Sequence, residues 1–299
     1  MHAAVAPASS SPRATWTGLV AILVWGASVG MMRSITEAFG PVAGGAAVFT
    51  LSGVLAWRVV GVPPLRALHP AYLWLAGALF VVYEICFALS LGLAHDRAQA
   101  LELGMLNYLW PSLTILLAVL CRQQRGSPLL LPGVALSLVG VVLVMGNGHW
   151  SPTLLWHNVL GNPLAYAMAA SAAVLWACYS LLTRLYGNGQ SAVPLFLLAT
   201  GVLLWGRYAT SPQPPMALSF ASIAQVLVQG CFAAASFSCW NLGIQRGNMT
   251  LLAAASYLTP VLSVLLGSAW LGVVPSMAFW QGVVLVCAGS LLCWWSTRR

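Results

Sequence analysis

Charge is nearly missing from this chain of 299 residues. Twelve arginines, three glutamates and one aspartate carry all of it, and lysine is absent. A soluble domain carries roughly a quarter of its residues as charges. So few charges cannot cover the surface of a soluble fold of this length, so lipid must cover most of it. The scarcity of acids also excludes chemistry. An intramembrane aspartyl protease needs two aspartates, and Asp96 stands alone. A serine protease of the membrane needs a G-x-S-G motif, and Thr50-Leu51-Ser52-Gly53 lacks its first glycine. There is no P-loop for ATP. The five histidines (His2, His69, His95, His149, His157) fall near run ends and loops, which supports no deep metal site. None of the seven cysteines forms a C-x-x-C, and all lie in or at the ends of apolar runs. They read as small buried hydrophobes. Neither an enzyme, a cofactor nor a metal is expected. The arginines are scattered singly or in pairs, which argues against nucleic acid.

What is present is apolar. Sixty per cent of residues are hydrophobic. A helix needs about 20 such residues to cross about 30 Å of hydrocarbon. Ten runs qualify, near 15–33, 41–61, 71–93, 98–121, 129–147, 161–185, 192–209, 218–243, 248–272 and 275–296. They are too long for barrel strands. Turn residues separate them, as at Gly40-Pro41, Pro63-Pro64 and Gly187-Asn188-Gly189. The expected fold is all-α, with ten transmembrane helices. The first run is read as a span rather than a removed signal peptide, preceded by a cytoplasmic tail over residues 1–14.

Orientation follows from arginine. With both termini in the cytoplasm, nine arginines fall inside (Arg13, Arg58, Arg66, Arg122, Arg125, Arg184, Arg246, Arg298 and Arg299). Three fall outside, Arg33, Arg97 and Arg207. The excess inside sets the topology. Asn248-Met249-Thr250 matches a glycosylation acceptor but sits in a cytoplasmic turn on this topology, so it is set aside.

An internal register recurs. Trp25 precedes Arg33 by eight residues, and Trp176 precedes Arg184 by eight. The stretch 107–117 (NYLWPSLTILL) resembles 256–266 (SYLTPVLSVLL). Pro111 is followed by glycine at 22 and 29 residues (Gly133, Gly140), and Pro260 likewise (Gly282, Gly289). The chain reads as a duplication, 15–147 and 161–296, with a linker over 148–160 and a tail over 297–299. Five spans per half force the second copy to enter the membrane the opposite way. Such inverted repeats place substrate sites of transporters at the midplane between them.

Within these spans a few residues stand out. Glu84 and Glu102 lie inside the third and fourth runs, where an ionised group costs ~2.5–3.5 kcal/mol and so faces a cavity or a partner. Each can bind a substrate ammonium or couple protons. Glu102 can instead be a shallow structural acid paired with an arginine such as Arg97. Among the fourteen tryptophans, Trp16, Trp150, Trp156, Trp294 and Trp295 sit at run ends, as interfacial belts do. Trp25, Tyr83, Tyr108, Trp110, Trp176, Tyr179, Trp240 and Tyr257 sit mid-run. The repeat pairs Trp25 with Trp176 and Tyr108 with Tyr257, which can line a pocket for flat ligands or simply pack. Pro111 and Pro260 free the carbonyls of Asn107 and Ser256, as static kinks or as hinges. Gly26–Gly30, Gly40–Gly44 and Gly243–Gly247 allow close helix approach.

The duplication, Trp25-Gly26 in the first span and the prolines of the fourth and ninth spans resemble the drug/metabolite transporter superfamily of EamA type. The stretch 99–111 (QALELGMLNYLWP) is similar to its bacterial aromatic amino acid exporter branch. The second copy departs by lacking the tryptophan before Pro260. The resemblance implies a ten-span inner-membrane exporter, alternating-access or facilitative, with a central cavity between the halves, for aromatic and other neutral amino acids with some tolerance of cationic drugs; a functional monomer is expected. Trp25, Tyr83, Tyr108, Trp176, Tyr179, Trp240 and Tyr257 are then expected at the cavity. Glu84, Glu102, Asn107 and Asn241 supply its polar contacts. The alternatives are an exporter of drugs or quaternary cations and, from other classes, an intramembrane enzyme or a passive channel.

Overall fold

The computed structural model describes residues 11–123, 125–146, 152–247 and 249–297. Most of the N-terminal tail, Asn248 of the acceptor motif, part of the linker and the last two arginines lie outside them. Among the described residues all regular structure is helical.

Local sequence starts and stops each helix. Ser11 caps α1 (Pro12–Phe39) by accepting from the Ala14 amide, with Pro12 in the first turn. Gly40, at φ 82°, ends α1, and Pro41 opens α2 (Pro41–Val60). A short π-helical turn, Ala71–Ala76, leads into α3 (Gly77–Leu93). Asp96 caps α4 (Arg97–Asn107), its Oδ1 accepting from Gln99 N at 2.7 Å. Then follow α5 (Trp110–Leu120), α6 (Leu130–Met145), α7 (Pro152–Gly161), α8 (Pro163–Tyr186) and α9 (Val193–Thr210). The linker thus holds a helix, α7. A Ser219–Ser222 capping box opens α10 (Phe220–Arg246), and α11 (Met249–Ser256), α12 (Thr259–Leu271) and α13 (Met277–Ser296) complete the chain. Among the described residues eight helical stretches are long and apolar enough to cross a membrane, and α6 and α12 are shorter apolar helices.

The fourth and ninth apolar runs are each broken in two. Both breaks fall on a Tyr-Leu pair, Tyr108-Leu109 and Tyr257-Leu258, with Pro111 and Pro260 in the first turn of the next helix. Proline cannot donate to the carbonyl four residues back and its ring crowds it, so the helix tightens and restarts.

Glycine sets two of the closest contacts. A methyl group on Gly140 would lie 2.6 Å from the Gly282 carbonyl, and one on Gly289 would lie 2.6 Å from the Gly133 carbonyl. So α6 and α13 pack backbone to backbone, the first glycine of each helix against the second of the other. Ser112 of α5 joins them, with Oγ atoms 2.9 Å from those of both Ser137 and Ser290.

Arg33 is not the loop charge expected from the sequence, because α1 runs on to Phe39. Arg33 is buried and donates from Nη1 to the carbonyls of Leu91 and Ala94, both at 2.9 Å, at the C-terminal end of α3. Its Nε donates to Glu37 Oε1 at 3.1 Å. Arg97 holds the other side of Glu37, Nη2 to Oε2 at 2.8 Å, and donates from Nη1 to the Leu271 carbonyl at the end of α12. Each arginine thus meets the negative end of a helix.

Candidate functional site

Helices α1, α2, α3, α8 and α10, with the α4–α5 break, surround one central cavity of about 80 Å³. Its wall is aromatic. Trp176 of α8 is its largest fully buried side chain, 2% exposed. Trp25 meets it edge to face at 5.7 Å, and Tyr83 lies across it at 4.6 Å. Phe237 packs on both tryptophans, 5.7 Å from Trp25 and 5.9 Å from Trp176. Trp110 touches Trp176 at 6.2 Å and Trp240 at 6.1 Å. Aromatic pairs at 4.5–7 Å between centroids attract beyond their buried area, so these rings hold one another as a rigid cage.

Four buried polar atoms of the lining are unpaired. Glu84, Asn107 and Gln229 are buried, and Glu84 Oε1, Asn107 Oδ1 and Gln229 Oε1 have no hydrogen-bond partner among the described residues. The Tyr83 hydroxyl neighbours Asn107. Trp176 Nε1 is an unpaired donor in the same wall. Buried polar groups are satisfied in all but a few cases, each of which asks for an explanation. Four on one cavity point to a ligand that completes them. Among the described residues no group of three or more potential metal ligands occurs.

Of the residues singled out from the sequence, Trp25, Tyr83, Glu84, Asn107, Tyr108 and Trp176 line this cavity. Trp240 packs beneath it, 5.0 Å from Trp25, and Tyr179 sits behind Trp176 at 5.0 Å. Glu102 is half-buried outside the lining and accepts from the Tyr166 hydroxyl at 2.8 Å. It is Glu37, not Glu102, that pairs with Arg97. Asn241 lies in a second hollow of about 850 Å³ between α2 and α10, where it accepts from Gln245 Nε2 at 3.0 Å. Tyr257 is buried elsewhere, its carbonyl accepting from Cys287 Sγ at 3.0 Å. Gln229, Phe49, Phe87 and Phe237 line the cavity and were not singled out. Gln229 had a signal, as an amide inside an apolar run, one it shares with Gln225 and Asn241. The phenylalanines had none, because their side chains look the same facing lipid or cavity.

A family model described as the EamA-like transporter family matches residues 163–295. An aromatic amino acid exporter of Salmonella typhimurium, YddG, is 44% identical over 97% of this chain and 99% of its own. The Escherichia coli protein of the same name is 44% identical over 96% and 98%, and that of Ancylobacter novellus 29% over 97% and 100%. A solved crystal structure superposes with a TM-score of 0.70 at 27% identity, covering 97% of this chain and 99% of that one. With the cage, the unpaired polar atoms and identity along the whole length, this chain belongs to that exporter family, of EamA type.

Proposed function

We propose that this protein exports aromatic and other neutral amino acids across the bacterial inner membrane, by alternating access around the central cavity. The observation that carries the reading is the set of unpaired atoms in an aromatic wall. Glu84, Asn107 and Gln229 present acceptors to a substrate ammonium. Trp176 Nε1 presents a donor to the carboxylate, and the rings stack on the side chain. The relatives' names point to the same substrate class.

Ten spans in two inverted halves, 15–147 and 161–296, are part of this proposal. The pairing of Gly140 with Gly282 and of Gly133 with Gly289 supports it, since a two-fold axis between copies produces such reciprocal contacts. The matching breaks before Pro111 and Pro260 support it too, and we assign them as hinges. Both termini in the cytoplasm fit the arginines near the ends of α2, α8 and α10, at Arg58, Arg184 and Arg246. The cavity's 80 Å³ is well below the ~300–1,000 Å³ of ligand pockets. It must therefore widen to take a ring, which is the movement the hinges supply.

The test is counterflow of labelled phenylalanine and tryptophan in proteoliposomes. Saturable exchange that unlabelled aromatic amino acids compete away is the expected result. Absence of amino acid flux from correctly folded protein would sink the reading.

A further inference from the structure

The register that pairs Trp25 with Trp176 also pairs Arg33 with Arg184, each eight residues further on. The two arginines are in opposite situations. Arg33 is buried, and its Nη1 donates to the carbonyls of Leu91 and Ala94 at the end of α3, both at 2.9 Å. Arg184 is exposed, and its guanidinium has no hydrogen-bond or ion-pair partner among the described residues. The counterpart of α3 in the second copy is α10, and two further contacts align their ends. Asn162, just before α8, donates from Nδ2 to the carbonyl of Leu93, the last residue of α3, at 2.9 Å. Ser11, just before α1, donates from its amide to the carbonyl of Arg246, the last residue of α10, at 2.9 Å. On that alignment the carbonyls of Leu91 and Ala94 correspond to those of Ile244 and Gly247. A helix C-terminus carries partial negative charge, so the end of α10 offers Arg184 what the end of α3 gives Arg33.

The two ends also pack differently. At the end held by Arg33, α3 lies directly on α2, where a methyl group on Gly92 would meet Pro41 Cβ at 2.5 Å. The Glu37–Arg97 pair bridges the same end, and the place of Glu37 in the second copy falls on Asn188. At the other end, the hollow of about 850 Å³ has residues 189–191 on one side and Asn241, Gln245 and Arg246 of α10 on another. One side-chain bond crosses it, from Gln245 Nε2 to the Gln190 carbonyl at 3.0 Å. One end is thus closed by an arginine on backbone carbonyls, and the other is loosely held with its arginine free.

We infer that Arg33 and Arg184 are a matched pair of gate residues. Arg33 on the end of α3 closes the outer side in this structure. In the opposite state Arg33 lets go, and Arg184 closes the inner side on the last carbonyls of α10. Inverted copies exchange conformations in this way. The inference rests on the transport reading and topology above and deepens them, by naming the residues that hold each closed side. Both are positioning residues, since neither lines the cavity.

Accessibility of the cavity from each side tests it. Ser28 lines the cavity, and Ser28→Cys in the full chain gives it a thiol. Right-side-out and inside-out membrane vesicles are treated with a membrane-impermeant methanethiosulfonate. Mass spectrometry of the peptide carrying residue 28 separates this thiol from the native cysteines. Arg33→Ala should raise the rate of modification from the outer side about tenfold, the worth of hydrogen bonds from a charged group. Arg184→Ala should lower that rate at least about threefold, and in each variant the inner-side rate should move the other way. General loosening of the fold raises both rates together, so it is told apart from a shifted gate. Unchanged rates in Arg184→Ala overturn the inference, as do shifts of the same sign in the two variants. The Arg184 arm stands whether or not Arg33→Ala folds, since Arg184 is exposed and unpartnered here. Opposite shifts with the two sides exchanged overturn the topology. Labelled phenylalanine counterflow is measured in the same vesicles without the substitutions. Its absence removes the transport reading and this inference with it, whereas its presence beside unchanged rates removes the gate alone.

Discussion

Trp25 and Trp176 meet edge to face, with ring centroids 5.7 Å apart and planes at 88°. In the proposed duplication they hold the same place in the two copies, 15–147 and 161–296, and their meeting joins α1 to α8 at the cavity wall. They are not equivalent in burial, since Trp176 is 2% exposed and Trp25 is half-buried. The two should therefore respond differently to truncation.

Trp25→Ala removes a ring edge from the cavity and leaves the cage standing on its other contacts. We expect apparent affinity for tryptophan to fall roughly twofold to tenfold, the worth of one aromatic contact, with little change in melting temperature. Trp176→Ala removes the ring that six aromatic neighbours touch. It should cost about 3–5 kcal/mol of stability as well as transport. Thermal unfolding in detergent beside counterflow separates the two effects.

Pro111→Ala and Pro260→Ala restore an N–H facing the Asn107 and Ser256 carbonyls, so the broken helices can run through. Turnover should slow severalfold while equilibrium binding of substrate stays within about twofold, because the hinge and not the wall is altered. Equal loss of binding and turnover would show instead that the prolines only shape the cavity.

Gly140→Ala should destabilise by about 1–3 kcal/mol, since its methyl group would meet the Gly282 carbonyl at 2.6 Å and Val286 N at 2.7 Å, neither of which can move alone. Gly206→Ala has nothing within 4 Å and should be neutral or slightly stabilising. Melting temperatures of the two variants, prepared side by side, check this.

Arg33→Ala and Glu37→Gln touch the same cluster with unequal expected cost. Arg33 is buried on two carbonyls of α3's end, so its loss should cost about 1.5–3 kcal/mol. The Glu37–Arg97 pair is half-exposed, at 29% and 48%, and should contribute no more than about 1 kcal/mol. Salt should shrink the second effect and spare the first. Unfolding in low and high salt distinguishes them.

Much of the site could be read from residue order alone. Tryptophan, tyrosine and carboxylate placed mid-run are costly or unusual in lipid, so Trp25, Tyr83, Glu84, Asn107, Tyr108 and Trp176 stood out and all line the cavity. Asn241 and Tyr257 stood out for the same reason and went elsewhere, because a helix presents residues in several directions and periodicity in a uniformly apolar segment does not say which one faces the cavity. Glu37 drew no notice, since an acid at a helix end is ordinary. Its partners lie 4 and 60 residues away, on α1 itself and on α4.

Membrane residence and the helical class follow from composition and order, because hydrocarbon forces every backbone group to be satisfied within its own helix. Those are local demands that each segment meets by itself. Which faces of the helices meet, that Gln229 joins Glu84 and Asn107 on one wall, and that Arg33 serves α3 rather than a loop depend on packing between segments far apart in the chain. Scarce charge told us that lipid surrounds this protein. Where its few charges and buried amides point was settled only when the helices closed around the cavity.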